Sequence, residues 1–370
     1  MLKNKILLIT HQTSKTGAPY TILLIFKDIL KKQNIDLDVL ALSSIGNLNT
    51  EFEKISTNFY YPEKYYGYRK TFYEKILSYF NIKSFHSPFE ILKEEIKKNK
   101  YDIIYANTVV SIPLAIELNK NKNAKIIAHI HELNHSTYEC LPDLKKYIDK
   151  IELFFVPSYE NKELLFNQFN VKNNKIEISR EAALPPNNDF KLIQDSKRFN
   201  IFMCGTANWR KGEDIFLILA NSVIRKDNNI HFYWIGYIDQ KTKFKTEIEL
   251  NKLNTKENIH FLGETNDIYS IINKMNCFVL TSREDPFPLA AIEAGMAGLP
   301  IICFNEGNGI KEVLIDKDLI IDYLDVEKLK NKILELKNNS SRLKSIGENN
   351  KQTFNEFIPE KISEIILKHL

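Results

Sequence analysis

The sequence predicts an α/β protein of two domains, each a doubly wound parallel sheet with helices on its faces, the two facing each other across a cleft. Three observations predict it. Short runs rich in Ile, Val and Phe alternate with longer segments of helical periodicity, the pattern of strands buried on both faces by crossover helices. The alternation is played through twice, on either side of the turn-rich connection Leu184-Pro185-Pro186-Asn187-Asn188-Asp189. The length, 370 residues, exceeds what one core normally organises and suits two.

In the first half the apolar runs predict strands at 5–10, 37–42, 102–106, 125–130, 153–157 and 176–179. In the second half they predict strands at 201–205, 231–236, 260–263, 277–282, 300–304 and 319–322. The expected domains are 1–186 and 187–351, with a C-terminal helix over 352–370 returning to the first. Sheets of this kind take ligands beyond the carboxyl ends of their strands, so chemistry is sought in the strand-to-helix loops.

An apolar fraction of 44% and a charged fraction of 26% are those of a chain that folds. A net charge of +4 over this length argues against a nucleic-acid binder. Of the cysteines, Cys204, Cys277 and Cys303 lie in predicted strands and read as reduced core thiols, a usage that suits the cytoplasm. No apolar stretch approaches the roughly 20 residues that cross a bilayer. From Tyr60 to Phe85 lysines interleave with aromatics, including Lys64, Tyr65, Arg69, Phe72, Lys75 and Tyr79. That mixture fits either an amphipathic helix packed on its domain or a peripheral contact with the inner face of an anionic membrane.

The most informative segment runs from Thr281 to Pro300, TSREDPFPLAAIEAGMAGLP. It begins at a strand end; Pro288 suits the first turn of a helix of about ten residues, and Gly298 and Pro300 supply stop signals. Every interior position is small or apolar except Glu293, whose carboxylate is expected to be substantially buried and to need donors, such as paired ribose hydroxyls. The helix start offers free amides and the positive end of a dipole to phosphate.

This block resembles the family-4 retaining glycosyltransferases of the GT-B fold, in which two glutamates stand eight positions apart around a Phe-Gly-Leu and a Glu-Ala-Met-Ala. Here Asp285 and Glu293 hold those positions, with Glu284 the alternative occupant of the first, and Pro288 stands where the family has glycine. The resemblance implies that Asp285 holds donor-sugar hydroxyls, that Glu293 holds the ribose, and that the amides of Leu289 and Ala290 bind the diphosphate. In Gly205-Thr206-Ala207-Asn208-Trp209-Arg210-Lys211-Gly212 it makes Lys211 the cation that neutralises the leaving diphosphate, and Arg210 the substitute for an arginine replaced by Thr206. In Lys15-Thr16-Gly17-Ala18-Pro19 it makes Gly17 the residue that lets backbone approach the donor.

His131-Glu132-Leu133-Asn134-His135 fits the letters of a zinc hydrolase, H-E-x-x-H, which needs both histidines on one helix. Here the motif follows the predicted strand 125–130. The resemblance offers another role, with His131 hydrogen-bonding a donor-sugar hydroxyl; His129, on the same strand face, is the alternative for that position. The expected function is metal-independent, retaining transfer of a hexose-type sugar from a UDP- or GDP-linked donor to a glycan or lipid-linked acceptor, in cell-surface polysaccharide synthesis. The rivals are a nucleotide-sugar epimerase or hydrolase of the same fold, and a zinc hydrolase using His131, Glu132 and His135. The lack of a G-x-G-x-x-G after any predicted strand argues against a dehydrogenase.

Overall fold

The structure, a computed structural model, describes residues 4–43, 46–65, 88–120, 123–193, 195 and 197–370. Most of the basic aromatic stretch, 66–85, therefore lies outside the described residues. Two compact units divide the chain. The first comprises Met1–Val156, Lys162–Ser179 and Ile362–Leu370; the second comprises Pro157–Asn161 and Arg180–Lys361.

The first unit is built on β1 (Lys5–Thr10), β2 (Asp36–Ala41), β3 (Asn58–Tyr60), β4 (Ile103–Asn107), β5 (Lys125–His129), β6 (Leu153–Val156) and β7 (Ile176–Ile178). Their order is β3-β2-β1-β4-β5-β6-β7, and every pairing is parallel. Nearly every residue of the central strands is buried, because helices cover both faces and leave no polar side to the sheet. From β1 the chain winds outward to β3 and then returns to β4 beside β1, which puts the topological switch point between those two strands. Register aligns their ends: Thr10 pairs with Asn107, and Asn107 with His129.

The second unit repeats the scheme with β8 (Phe199–Cys204), β9 (Ile230–Ile235), β10 (Ile259–Gly263), β11 (Cys277–Leu280), β12 (Ile301–Phe304) and β13 (Ile320–Ile321), ordered β10-β9-β8-β11-β12-β13 and again wholly parallel. Its switch point lies between β8 and β11. All twelve strands expected from the sequence are present, with no end displaced by more than two residues. The strand β3 was not expected: three residues at a sheet edge, only two of them apolar, carry too little pattern to read.

The end of the chain belongs to the first unit. In the helix Pro359–Leu367, Ile362 and Ile366 are buried, Ser363 donates to Asp28 at 2.5 Å, and Lys32 bonds both Ser363 and Asp28. Beyond it, Lys125 donates to the His369 carbonyl at 2.8 Å and Asn4 to that of Leu370.

Candidate active site

The carboxyl ends of β8 and β11 carry the two loops with the strongest sequence signals, and these loops are stitched together. After β8 the chain turns at Gly205, and Asn208 caps a short 3-10 turn, Trp209–Lys211, by accepting the Lys211 amide at 2.9 Å. Gly212 then adopts φ +71°, where a Cβ would stand 2.1 Å from the Thr281 carbonyl oxygen. Only glycine permits this approach of backbone to backbone. The Arg210 carbonyl accepts the Arg283 amide, the Arg210 guanidinium donates to the Glu284 carbonyl at 2.6 Å, and Thr281 Oγ1 donates to the Lys211 carbonyl. Arg283 in turn forms a bidentate pair with Asp214 and lies over the Trp209 ring at 4.8 Å.

Within this frame Lys211 Nζ forms an ion pair with Asp285, whose side chain is buried while that of Lys211 is largely covered. Ser282 Oγ lies 3.3 Å from the same carboxylate oxygen. Burial pushes the Lys211 ammonium below the usual lysine range, with Asp285 opposing the fall and Arg210 adding to it. Of the two candidates for the first acidic position, Asp285 turns its carboxylate to Lys211, while Glu284 is more exposed and lends the cluster its backbone carbonyl.

The helix predicted here is shorter than expected. It runs over eight residues, Leu289–Met296, and Pro288 caps it from an extended conformation at ψ 128° rather than standing inside its first turn. Pro288 brings no N–H, and among the described residues no backbone acceptor takes the amides of Leu289 or Ala290. They are the free donors of a helix start. Glu293 is half-buried rather than substantially buried. Ala290, Ala291, Ile292 and Ala294 fill the packed faces, whereas Glu293 shares with Leu289, one turn earlier, the face that is less covered. Its carboxylate lies near Cys204, whose thiol burial pushes up to about 12, with Glu293 adding to the rise. Cys204, Cys277 and Cys303 are free, as expected of core thiols.

In the first unit the helix Gly17–Lys32 follows the loop after β1, and a Cβ on Gly17 would meet no protein atom within 4 Å. Packing within the chain therefore does not require glycine there. His129 is fully buried, bonded through Nδ1 to the Tyr105 hydroxyl at 2.9 Å, and burial holds its imidazole well below the usual histidine range. It is a core residue. His131 lies just beyond the strand end, half-buried, with its ring stacked 4.1 Å from that of His129.

The zinc-hydrolase geometry is not formed. The helix carrying His135 begins only at Asn134, so His131 and His135 do not occupy successive turns. Glu132 is instead a backbone tie, accepting the amides of His131 at 3.0 Å and Val109 at 3.3 Å. Among the described residues no group of three or more His, Cys, Asp or Glu could hold a metal ion. The Asp-x-Asp pairs of the chain are engaged by side chains: Asp38 by Tyr101 and Asn58, and Asp316 and Asp318 by Arg342.

Sequence reasoning missed Asn107 and Thr108. Asn107, buried at the end of β4, bonds His131; Thr108 follows it at φ +93°, a region β-branched residues almost never enter. Such backbone costs of order 1–3 kcal/mol and is kept where its surroundings over-determine it. No letter of the sequence signals a φ angle.

Two sheets of this order, each with its candidate residues beyond the carboxyl ends of its strands, define a GT-B architecture. The comparisons agree. Residues 186–353 match the family described as glycosyl transferases group 1. An uncharacterised glycosyltransferase of Methanocaldococcus jannaschii is 27% identical over 68% of this chain and 69% of its own length. The Escherichia coli UDP-Gal:alpha-D-GlcNAc-diphosphoundecaprenol alpha-1,3-galactosyltransferase is 22% identical over 86% of this chain and 87% of its own. Among solved structures, Anabaena HepE in complex with UDP and glucose superposes with a TM-score of 0.78 at 15% identity, covering 99% of this chain and 100% of that one, a likeness of fold. Over residues 186–353 the chain is similar to the group 1 glycosyl transferases, and with its full-length likeness to curated glycosyltransferases it is a glycosyltransferase.

Proposed function

We propose that this glycosyltransferase moves a hexose from a nucleotide diphosphate sugar, UDP- or GDP-linked, onto a glycan or lipid-linked acceptor with retention of anomeric configuration and without a metal. The observation that carries the reading is the buried Lys211–Asp285 pair beside the free amides of Leu289 and Ala290, at the switch point of the second sheet. In this reading the anomeric C–O bond to the diphosphate breaks, positive charge develops on the sugar ring, and the acceptor hydroxyl attacks from the leaving-group face. Lys211, Arg210 and the two amides neutralise the departing diphosphate, a contribution that is largely electrostatic and prearranged. Asp285 holds sugar hydroxyls, Glu293 the ribose, and His131 a hydroxyl of the donor sugar, while Gly17 leaves room for backbone to approach it.

The bound UDP and glucose of the HepE structure, and the diphosphoundecaprenol acceptor in the name of the E. coli relative, support a nucleotide-sugar donor and a lipid-linked acceptor. In this reading the protein acts in surface-polysaccharide synthesis, at the inner face of the membrane. Among the described residues no helix is long and apolar enough to cross a bilayer, so in this reading contact with a lipid-linked acceptor is peripheral. The reading is tested by incubating the protein with a panel of UDP-, GDP- and dTDP-sugars plus EDTA and following release of the nucleoside diphosphate. Release from one donor, lost in Lys211→Ala and Glu293→Ala, is the expected result. Release that needs a divalent cation, or that survives both substitutions, contradicts it.

A further inference from the structure

Three strand ends of the first sheet meet around one imidazole. The register sets Thr10, Asn107 and His129 level across β1, β4 and β5, with His11 one position and His131 two positions beyond those strand ends. His131 Nε2 lies 2.8 Å from Asn107 Oδ1. An amide oxygen only accepts, so Nε2 carries a proton and donates. The orientation of the amide is set from its other end, where Asn107 Nδ2 donates to the Ala18 carbonyl at 3.2 Å. Ala18 follows Gly17 in the first turn of the helix after β1.

The backbone around Asn107 is fixed with equal care. The Thr108 amide donates to the His129 carbonyl at 2.8 Å, Ser111 Oγ to the Asn107 carbonyl at 3.1 Å, and the Glu132 carboxylate ties the amides of Val109 and His131. These bonds hold Thr108 at φ +93°. A β-branched residue kept there by so many partners points to a demand on the residue beside it.

We propose that Asn107 is the positioning residue of His131: its side-chain carbonyl accepts a hydrogen bond from Nε2–H and so sets the tautomer and tilt of the ring, and the strained Thr108 keeps that carbonyl in place. The inference deepens the reading in which His131 serves the donor sugar. Asn107 itself acts only through His131. With Nε2 committed, Nδ1 is the ring's basic nitrogen, which gives the two faces of the imidazole different chemistry. The other titratable groups at this position are His11 and His129, both pushed toward the neutral form by burial, together with Tyr105 and Glu132.

The test is nitrogen-15 NMR of the histidine side chains of the full chain, His131 being identified by loss of its signals in His131→Ala, together with steady-state kinetics. In the unsubstituted protein His131 is expected as a single Nε2-protonated tautomer. Asn107→Leu removes the acceptor; the tautomer preference should be lost, and kcat should fall roughly tenfold or more with the donor KM little changed. Asn107→Asp keeps the acceptor and adds charge, so it should restore the Nε2 proton, raise the protonation midpoint of His131, and move the acid limb of the kcat profile upward with it. If Asn107→Leu does not fold, the Asp variant decides alone. An unchanged His131 tautomer in Asn107→Leu, or an unchanged protonation midpoint of His131 in Asn107→Asp, overturns the inference. Full turnover by His131→Ala would instead remove the role assigned to His131 and leave the spectra to judge Asn107.

Discussion

Lys211 is a cation held where water would otherwise hold it better. Burial lowers its proton affinity, and Asp285 only partly restores it, so the free enzyme should lose the ammonium at a pH below the ordinary lysine value of about 10.5. The alkaline limb of kcat/KM is therefore expected below that value, and Lys211→Arg should move it upward, an effect a pH–rate series measures directly. Stability carries the same sign. Between the folded and unfolded midpoints the native state binds fewer protons, so stability should rise with pH through that window, and the rise should vanish in Lys211→Met. At this scale Lys211, Asp285 and Glu293 were legible because they stand in blocks whose letters match as a whole. The choice of Asp285 over Glu284 was not legible, since it depends on which carboxylate turns inward toward the lysine. The part played by Asn107 was hidden for a similar reason: the partner of His131 lies on a different strand, 24 positions away.

Elements place these residues, and two glycines separate the element's needs from the ligand's. At Gly212 a side chain meets the Thr281 backbone oxygen and a left-handed φ. Gly212→Ala should cost about 2 kcal/mol or more of stability in chemical denaturation and separate the two stitched loops. At Gly17 a side chain meets nothing, and alanine is the better helix former. Gly17→Ala should leave stability unchanged or raise it by up to about 1 kcal/mol, and yet weaken the donor, read as a higher KM. Equal losses of stability in the two variants would contradict this assignment. Strands were read almost completely because runs such as KILLIT and IHFYWI have few other uses. The helix at Leu289 was read too long because Pro288 permits either a capping or a first-turn position, and its ψ of 128° decides for the former. The H-E-x-x-H letters failed for the converse reason: spacing counts only inside a helix, and this helix starts three residues too late.

At the scale of the molecule, strand order came from the structure. Apolar runs announce strands without saying which are neighbours, although right-handed crossovers leave few arrangements open. The return of Ile362–Leu370 to the first unit rests on Ser363, Asp28, Lys32 and two buried isoleucines, partners more than 330 positions apart in sequence for the hydrogen bonds. Removing residues 362–370 should therefore speed amide exchange in β1 and in the helix Gly17–Lys32, while β8, β9 and β11 keep their protection. Equal loosening of both sheets would count against that division.

The loops of β8 and β11, with the helix start at Leu289, are the proposed machinery of a retaining transferase. The most direct measurement takes the donor selected by turnover, transfers its sugar to a lipid-linked glycan acceptor, and reads the anomeric configuration of the product by NMR for the unsubstituted protein and for Lys211→Ala. The expected product keeps the donor's configuration and forms roughly a hundredfold or more slowly with the variant. An inverted product, or transfer at full rate without Lys211, would contradict that role.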